Sequence, residues 1–462
     1  MKTKQTVGII LAVIILVVMF FIPATESLST AGIKTIFMMI AFLVLLITEP
    51  FHIMHTCLIF LGLMPLLGVA PTLADALSGI GNPVIIFVVA SFGIATAFTG
   101  VPLSKRILIA ILSKFGKNIN LMLLAIMFSA AIVSFFVSNV PTCAIFMAIS
   151  LDFLELYENP DDKKKTGRAF MLAVPIASMI GGLMTPTGST IHLLALTQLE
   201  SLTGKTVSFV QWIAAGVPLT LIILPIAWFI ILKINKPAEI NHEMVRSFIS
   251  KLDVPDKITT PEIKILIITG MMLVLWILSS WFKGINIMVV TLLGACFYCL
   301  PQIKALDFKT YLNGIGWPSA FLIATVISLG NLMVKNGVSA WIVSFMPQTN
   351  MATPILLAFT ATLIFLMLVV IPVAPSLIQI MSAPLVALAA ASSSSPELVI
   401  IIMSMCGCCC FLLPLDTVPL LTYGTGYYSM KDMIKSSLPI QIFMVIVMSL
   451  WLTVIGKVFG MV

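Results

Sequence analysis

Two short polar segments and one acidic residue stand out in a chain that is otherwise strongly apolar. Ser138–Thr142 contains a serine, an asparagine and a threonine, and Thr185–Thr190 contains four hydroxyl residues with a proline and a glycine. Asp416 lies in a third apolar region, directly before Thr417. Hydroxyl and amide groups donate hydrogen bonds to anions, and their oxygen atoms coordinate hard cations. These residue types therefore favour the binding of small ions.

The composition places these segments inside a membrane. Of the 462 residues, 60% are hydrophobic and 9% are charged, whereas about 25% are charged in an ordinary soluble domain. Apolar runs of about 20 residues, the length that crosses a bilayer as an α-helix, recur from end to end. The sequence therefore predicts an all-α polytopic membrane protein. The run Val7–Ile22 is interpreted as its first, retained span rather than as a signal peptide.

The basic residues predict the orientation of the chain. Its net charge of +7 lies in short loops beside the spans, so it reports topology and not affinity for nucleic acid. Lys105–Lys117 and Lys163–Arg168 place both flanks of the segment between them in the cytoplasm, together with the N-terminus. Residues 119–152 are therefore predicted to enter the cell membrane and return as a re-entrant hairpin, with Ser138–Thr142 near its tip. The alternative is a pair of ordinary spans with an outside loop.

The next apolar segment, residues 169–199, is predicted to be a broken helix. Pro186 and Gly188 lie in its middle, and neither residue favours a helix interior. Non-helical backbone at membrane depth is tolerated only where it is buried in protein or lines a cavity. The break therefore indicates a site. Trp212 and Trp317 are interpreted as anchors at the membrane interface.

The second half of the chain repeats the first, because several short motifs recur in the same order. The matched segments are Gly79–Pro83 with Gly314–Pro318, Gly100-Val101 with Gly337-Val338, Ser138–Thr142 with Pro372–Ser376, Thr185–Thr190 with Leu413–Val418, and Gly216–Pro218 with Ser437–Pro439. An odd number of predicted crossings separates the repeats, so the second is predicted to be inverted. Its hairpin is expected at residues 352–394 and its broken helix at residues 397–425.

These expectations combine into about 11 transmembrane helices with two re-entrant hairpins. The predicted parts are N-terminal scaffold helices at residues 1–70, a first repeat at 76–235, a cytoplasmic linker with scaffold helices at 236–310, and a second repeat at 314–457. Inverted repeats of this kind are typical of secondary transporters with a site near the bilayer midplane. Helix N-termini suit an anion there, whereas helix C-termini and free carbonyls suit Na⁺. The predicted function is cation-coupled transport of a small anion.

Several motifs also resemble those of one transporter family. They are Ser138-Asn139, Gly181-Gly182 leading to Ser189, Gln211-Trp212 leading to Gly216 and Pro218, Leu413–Thr417 leading to Tyr423–Tyr427, and Lys431–Lys435. Over nearly its whole length the chain resembles the divalent anion/sodium symporter family. The resemblance implies a carrier of dicarboxylates, citrate or sulfate that is coupled to Na⁺, less commonly to H⁺. It also implies a homodimer with an elevator-type mechanism and no organic cofactor.

The resemblance further implies which residues bind the transported ions. It assigns to the anionic substrate Ser138, Asn139, Thr142, Ser189, Thr190 and Thr417, and the internal repeat adds Ser376, which matches Thr142. It assigns to the cation Ser138 and Asn139, and we add Gly188, Ala374 and Asp416 as further candidate ligands of Na⁺. The other expected partners are membrane lipid and a second copy of the chain, and no nucleic acid is expected.

The chain departs from the family pattern at its hairpin tips. The family has Ser-Asn-Thr at both tips, whereas Val140 replaces the threonine at the first and Pro372–Ala374 replaces the motif at the second. Asp416 stands where a small neutral residue is common, and an ionised carboxylate at membrane depth is energetically costly. The lost donors favour sulfate or a compact carboxylate over citrate. The carboxylate leads to the hypothesis that Asp416 binds or carries the coupling cation.

Other interpretations stay open at this point. Asp416 could cap a helix, or it could titrate in a cation/proton antiporter. Asn139 could cap a hairpin helix without touching a ligand. Ser189 and His192 could form the pair that an intramembrane hydrolase needs, a remote alternative, although His192 is interpreted as a satisfied polar residue. The cysteines within Cys406–Cys410 are interpreted as packing residues.

Overall fold

The computed structural model describes residues 3–115, 118–240, 242–252, 254–282, 284–345 and 350–461. Within these ranges the chain forms 22 α-helices and no β-strand, which confirms the all-α prediction. The helices are α1 Thr3–Val18, α2 Thr30–Thr48, α3 Ile53–Leu66, α4 Leu73–Ala76, α5 Pro83–Thr99, α6 Leu103–Phe115, α7 Ile119–Val137, α8 Asn139–Leu154, α9 Pro160–Gly182, α10 Thr190–Thr203, α11 Phe209–Asn235, α12 His242–Lys251, α13 Thr260–Leu278, α14 Ile287–Cys299, α15 Phe308–Gly314, α16 Trp317–Lys335, α17 Val338–Ser344, α18 Thr353–Val370, α19 Ala374–Ala391, α20 Pro396–Cys408, α21 Thr417–Tyr423 and α22 Met430–Val458.

Eight of the described helices are long and apolar enough to cross a membrane, namely α2, α7, α11, α13, α16, α18, α19 and α22. The count rises to nine if α5 and α6, which bend by 58° at their junction, form one span. The chain is thus a polytopic membrane protein, as predicted. The total of about 11 spans stays a prediction, because helices such as α1 and α14 are shorter than a full span.

Each half of the chain contains two helices joined by a very short turn. α7 and α8 are separated by Ser138 alone, and α18 and α19 by residues 371–373. In both pairs the two helices pack against each other and against a third helix, which is α9 in the first half and α20 in the second. These bounds lie close to the predicted hairpins. Because α7, α18 and α19 are each long enough to span, their re-entrant path stays a prediction.

Two interrupted helices occupy the centre of the molecule. α9 ends at Gly182 and α10 begins at Thr190, while α20 ends at Cys408 and α21 begins at Thr417. The gaps fall where proline, glycine and hydroxyl residues predict the breaks. All residues from 169 to 182 and from 397 to 408 are buried, so α9 and α20 form the central packing surface.

α9 begins earlier than predicted, because Lys163–Arg168 is helical and not a loop. Asn159 caps the helix by accepting a hydrogen bond from the Asp161 N–H at 2.9 Å, and Pro160 occupies the first helical position. Asp161 and Asp162 lie in the first turn. A cap, an N-terminal proline and an acidic first turn all favour a helix start. The basic run is therefore the second turn of the helix.

The helices α5 and α16, which hold corresponding places in the two halves, run antiparallel. Gly79, just before α5, donates its N–H to the Ser328 hydroxyl on α16 at 2.9 Å. Gly314, just before α16, lies so close to α5 that a Cβ there would be 2.2 Å from the Thr96 hydroxyl. The start of each helix thus contacts the later part of the other.

The helices α11 and α22 show the same relation at the ends of the two halves. The Trp451 indole N–H donates to the Ala215 carbonyl at 3.1 Å, which joins the end of α22 to the start of α11. The Asn235 amide donates to the Ser436 hydroxyl at 3.1 Å, which joins the end of α11 to the start of α22. Both pairs of corresponding helices therefore run in opposite directions.

α16 lies between two apolar cores. Its residues Val326 and Leu329 belong to a smaller core with α2, α3 and α4. Its residues Ile323 and Ile327 belong to a larger core that contains both hairpins and both interrupted helices. The N-terminal helices therefore have a core of their own, and Ile371, Val373 and Ile380 of the second hairpin also pack against it. The predicted division into four parts stays a prediction.

Candidate functional site

Three helix N-termini meet the end of α20 at one place in the larger core, which we call the polar centre. The Asn139 amide, in the first residue of α8, donates to the Cys408 sulfur at 3.1 Å. A Cβ on Gly407 would lie 3.4 Å from Ile191 and 3.9 Å from Ala374, at the starts of α10 and α19. The free N–H groups of helix starts carry partial positive charge. The polar centre is thus suited to an anion.

Asn139 connects three elements at the polar centre. Its side-chain oxygen accepts a hydrogen bond from the Ser134 hydroxyl of α7 at 2.9 Å, and its amide nitrogen reaches Cys408 of α20. The same Ser134 hydroxyl lies 2.8 Å from the Ser178 carbonyl of α9, so its one hydrogen is shared. Cys408 was interpreted as a packing residue, yet its sulfur is a hydrogen-bond partner of the first hairpin. Asn139 therefore bridges residues that are far apart in the sequence.

Gly182, the last residue of α9, makes room for the Asn139 side chain. A Cβ at this position would lie 2.2 Å from the Asn139 side-chain oxygen, well inside van der Waals contact. Gly181 plays a similar part, since a Cβ there would lie 2.4 Å from the Ala131 Cα of α7. The paired glycines therefore let the first hairpin dock directly onto the end of α9.

At the tip of the first hairpin, the Ser138 hydroxyl forms no side-chain hydrogen bond that caps α8. Ser138 has a φ of 76°, in a region that non-glycine residues rarely adopt, and its side chain does not cap α8. The Thr142 hydroxyl donates back to the Ser138 carbonyl at 2.8 Å. Ser138 is half-buried and the Thr142 side chain is buried. Thr142 therefore stabilises the turn, while the Ser138 hydroxyl is available at the tip.

The first break is held against the hairpin by side-chain hydrogen bonds. The Thr185 hydroxyl donates to the Phe135 carbonyl near the end of α7 at 3.1 Å. Gly188 lies against the end of α9, where a Cβ would be 2.5 Å from the Gly182 carbonyl oxygen. Ser189 then caps α10 by accepting a backbone N–H at 3.4 Å. These contacts keep the non-helical segment buried at the polar centre.

Trp212 lies beside this break and is enclosed by protein, so the prediction that its side chain contacts the membrane interface as an anchor is wrong. It is fully buried, and its indole N–H donates to the Leu183 carbonyl, which the end of α9 leaves free, at 3.0 Å. Its ring centroid is 4.7 Å from that of His192. His192 Nδ1 lies 3.1 Å from the Thr185 carbonyl, an acceptor, so Nδ1 carries the hydrogen.

His192 is only half satisfied. Its Nε2 is buried and has no hydrogen-bond partner within the described ranges. The neighbouring Thr187 hydroxyl is also buried without a partner in that part of the chain. The side chains of Ser189 and His192 form no hydrogen bond with each other, because the Ser189 hydroxyl caps α10 and the His192 ring binds the Thr185 carbonyl. The arrangement therefore lacks the nucleophile–base contact of a hydrolase.

Asp416 caps the helix that follows the second break. Its Oδ1 accepts a hydrogen bond from the Val418 N–H at 3.1 Å. The Val418 carbonyl in turn accepts from the Cys143 thiol of α8 at 3.5 Å, which places the start of α21 beside the first hairpin. Asp416 is half-buried, and it has no ion pair with any described lysine, arginine or histidine. The cap interpretation describes this geometry, and the role in cation binding stays a prediction.

The second hairpin tip has no polar side chain. Residues 371–373 are apolar, and Ala374 meets Gly407 through its methyl group. Polar groups follow within α19, where the Ser376 hydroxyl and the Gln379 side-chain oxygen are buried without a partner in the described structure. Gln379 lies against α16, since a Cβ on Gly330 would be 2.0 Å from its Cγ. The sequence analysis missed Gln379, although a lone amide in an apolar membrane helix is itself a functional signal.

The structure thus brings only some of the predicted site residues to the polar centre. Those at or beside it are Ser138, Asn139, Thr142, Gly188, Ser189 and Ala374. Thr190 and Thr417 are the first residues of α10 and α21, and Thr417 is exposed. The residues that sequence reasoning missed, besides Gln379, are Ser134 and Ser178, whose groups meet Asn139 from α7 and α9.

The fold and the polar centre define a polytopic α-helical membrane protein, in which two helix pairs with short turns and two interrupted helices surround one polar region. A family model described as the transmembrane region of sodium:sulfate symporters matches residues 3–462. The chain therefore belongs to the sodium:sulfate symporter family, in agreement with its resemblance to divalent anion/sodium symporters. It is a transporter and not an enzyme, so the hydrolase alternative is wrong.

Individual relatives are distant but cover most of the chain. The sodium-dependent dicarboxylate transporter SdcS of Staphylococcus saprophyticus is 24% identical over 472 residues, which is 96% of this chain and 90% of the relative. A membrane protein of Cupriavidus necator is 24% identical over 358 residues, 73% of this chain and 69% of the relative. The crystal structure of the Alcanivorax borkumensis YdaH transporter has a TM-score of 0.54 at 12% identity and covers 99% of this chain and 98% of that one. That likeness concerns the fold alone.

Proposed function

We propose that this protein carries a small anion across the cell membrane together with Na⁺, by alternating access. The observation that carries the proposal is the meeting of the starts of α8, α10 and α19 with the end of α20. Asn139, Gly407 and Ala374 mark this meeting. Helix N-termini bind an anion through backbone N–H groups, so the site needs no lysine or arginine. Binding of this moderate strength lets the site release its ligand on either side of the membrane. The name of the SdcS relatives, which are sodium-dependent dicarboxylate transporters, supports the same reading.

The coupling cation would bind where backbone oxygens are concentrated. α9 and α20 both end at the polar centre, and helix C-termini carry partial negative charge. Asp416 adds a carboxylate at the second break, and this carboxylate has no ion pair within the described part of the chain. We assign Na⁺ to Ser138, Asn139, Gly188, Ala374 and Asp416, and the anion to Ser138, Asn139, Thr142, Ser189, Thr190, Ser376 and Thr417. Oxygen ligands of this kind are what a hard cation prefers.

An inverted repeat accounts for the reciprocal packing of the two halves. A two-fold relation in the membrane plane requires corresponding helices to run in opposite directions, as α5 with α16 and α11 with α22 do. The N-terminal helices have their own core, against which the second hairpin also packs. We propose that this core belongs to a fixed scaffold and that the hairpins move against it as an elevator. We propose that the functional unit is a homodimer.

The substrate we favour is sulfate or a compact carboxylate. The second tip lacks the side-chain donors that would hold the far end of a longer anion. Currents on solid-supported membranes, recorded during jumps of sulfate, succinate and citrate with and without Na⁺, test the proposal. We expect currents with at least one of these anions only when Na⁺ is present. Currents of equal size without Na⁺ would show that transport of the anion is not coupled to Na⁺.

A second candidate is a cation/proton antiporter, which the Asp416 carboxylate favours because it forms no ion pair with a residue in the described ranges. Such a protein would need no anion site. A pH-sensitive dye inside proteoliposomes distinguishes the two candidates. Na⁺-driven proton flux in the absence of any transported anion would support the antiporter, whereas a requirement for the anion supports the symporter.

A further inference from the structure

A cavity of about 800 Å³ lies away from the polar centre, between the start of α7 and the end of α11. Its lining includes Asn120, Trp228, Phe229, Lys233, Lys236 and Glu239. The Trp228 indole N–H donates to the Asn120 carbonyl at 2.7 Å, so the two helices are joined at the wall of the cavity. The transport proposal uses none of these residues.

The rim of this cavity is basic. Lys233 and Lys236 are exposed, lie one helical turn apart at the end of α11, and have no ion pair with any residue in the described ranges. Glu239 is the acidic residue in the lining, so the lysines outnumber it. Lysine ammonium groups bind phosphate as point charges. The rim therefore suits one phosphate group.

The wall below the rim is apolar and partly exposed on the surface of α11. Phe229 is 57% exposed, and Leu232 also lines the cavity. α11 has 27 residues, a length of about 40 Å at 1.5 Å per residue, so its last turns emerge from a hydrocarbon core of about 30 Å. The lysines thus lie at the level of lipid headgroups, with aromatic side chains just beneath them.

We propose that this cavity binds the headgroup of an anionic phospholipid. Lys233 and Lys236 hold the phosphate, and Trp228 and Phe229 contact the glycerol and the upper acyl chains. A free phosphate ion would use the basic rim but not the apolar wall, so the lining favours the lipid. Basic pockets between membrane helices are known to recognise acidic lipids in this way.

Quenching of tryptophan fluorescence by brominated lipids tests the proposal on the purified full-length protein in detergent. Bromine atoms on the acyl chains of phosphatidylglycerol should quench Trp228 more strongly than those of phosphatidylcholine, and the excess should vanish in Trp228→Phe. In Lys233→Ala/Lys236→Ala we expect about 30-fold weaker affinity for phosphatidylglycerol, since each of the two lysines near the headgroups contributes about 1 kcal/mol.

The matched control is Lys164→Ala/Lys165→Ala, which removes the same charge from exposed positions of α9. It should keep the full preference for phosphatidylglycerol. Equal affinity of the Lys233/Lys236 variant and the wild type would overturn the proposal, and so would an equal loss in the control. If excess inorganic phosphate displaces the brominated lipid, the cavity is a site for a free anion, and the lipid proposal is also contradicted.

Discussion

The two hairpin tips both lie against the end of α20, but they contact it through different side chains. At the first tip, Asn139 forms hydrogen bonds with Ser134 and with Cys408, which lies on the opposite half of the chain. At the second tip, Ala374 offers only a methyl group to Gly407. Since helix starts provide backbone donors in both cases, the difference lies in the side chains. At the turns themselves, the first hairpin thus presents polar side chains, whereas the second presents only apolar side chains and backbone groups.

The largest expected effect distinguishes the tips directly. Asn139→Ala would remove the donor to the Cys408 sulfur and one of the two acceptors of the Ser134 hydroxyl, which keeps the Ser178 carbonyl. The proposed ion site also loses its amide, and because a hydrogen bond to a charged ligand contributes about 1.5–3 kcal/mol, we expect Na⁺-driven anion uptake to fall about 100-fold. The control is Val373→Ala, the aligned position of the second tip, where uptake should stay within about twofold of the wild type. Similar losses in both variants would contradict the asymmetry.

Gly182 and Gly407 provide the next test, because each lies beneath one hairpin tip. A Cβ at Gly182 would be 2.2 Å from the Asn139 oxygen, whereas a Cβ at Gly407 would be 3.4 Å or more from any neighbour. Overpacking of this kind costs about 1–3 kcal/mol, so Gly182→Ala should lower uptake about 30-fold. Gly407→Ala should change uptake and melting temperature little. If Gly407→Ala is the more damaging of the two, the docking model for Asn139 is wrong.

Substitutions of Asp416 test whether its carboxylate takes the place of the polar side chains that the second tip lacks. Asparagine caps a helix about as well as aspartate, so Asp416→Asn keeps the bond to the Val418 N–H and removes only the charge. We expect the Na⁺ concentration for half-maximal uptake to rise about tenfold while the melting temperature stays unchanged. Asp416→Ala should also destabilise the protein, by about 1 kcal/mol for the lost cap. Unchanged sodium dependence in Asp416→Asn would reduce this residue to a helix cap.

The smallest expected effect comes from giving the second tip an amide. Val373→Asn introduces a donor and an acceptor at the position that aligns with Asn139. The added donor should favour an anion with a second charged end, so the ratio of succinate to sulfate uptake should rise about threefold. Competition between the two labelled anions in the same proteoliposomes measures this ratio. A ratio that falls would mean that the second tip does not face the far end of the substrate.

The sequence predicts the helix breaks well because their causes are local. Pro186 and Gly188 disfavour a helix wherever they stand, and Ser189 and Asp416 are good N-caps. α9 shows how a local signal can be misjudged. Asn159 and the proline and acidic residues after it mark a helix start, but the following basic run was interpreted as a loop.

Contacts between distant parts of the chain were not predictable in this way. Asn139 and Cys408 are 269 residues apart, and a cysteine in an apolar segment is most simply a packing residue. Trp212 was assigned to the interface because tryptophan is common there, yet its partner is the Leu183 carbonyl that a neighbouring helix leaves free. Such partners depend on which helices pack together, and one sequence alone does not carry that information.

The central claim is that Na⁺ and the anion bind and move together at the polar centre. Fluxes of radioactive Na⁺ and labelled sulfate or succinate, measured in parallel in proteoliposomes of the wild type and Asn139→Ala, test it most directly. We expect each flux to stop when the other ion is withheld, and we expect Asn139→Ala to lower the sodium flux and the anion flux together. A sodium flux that continues without any anion, or one that Asn139→Ala leaves intact while anion flux is lost, would contradict it.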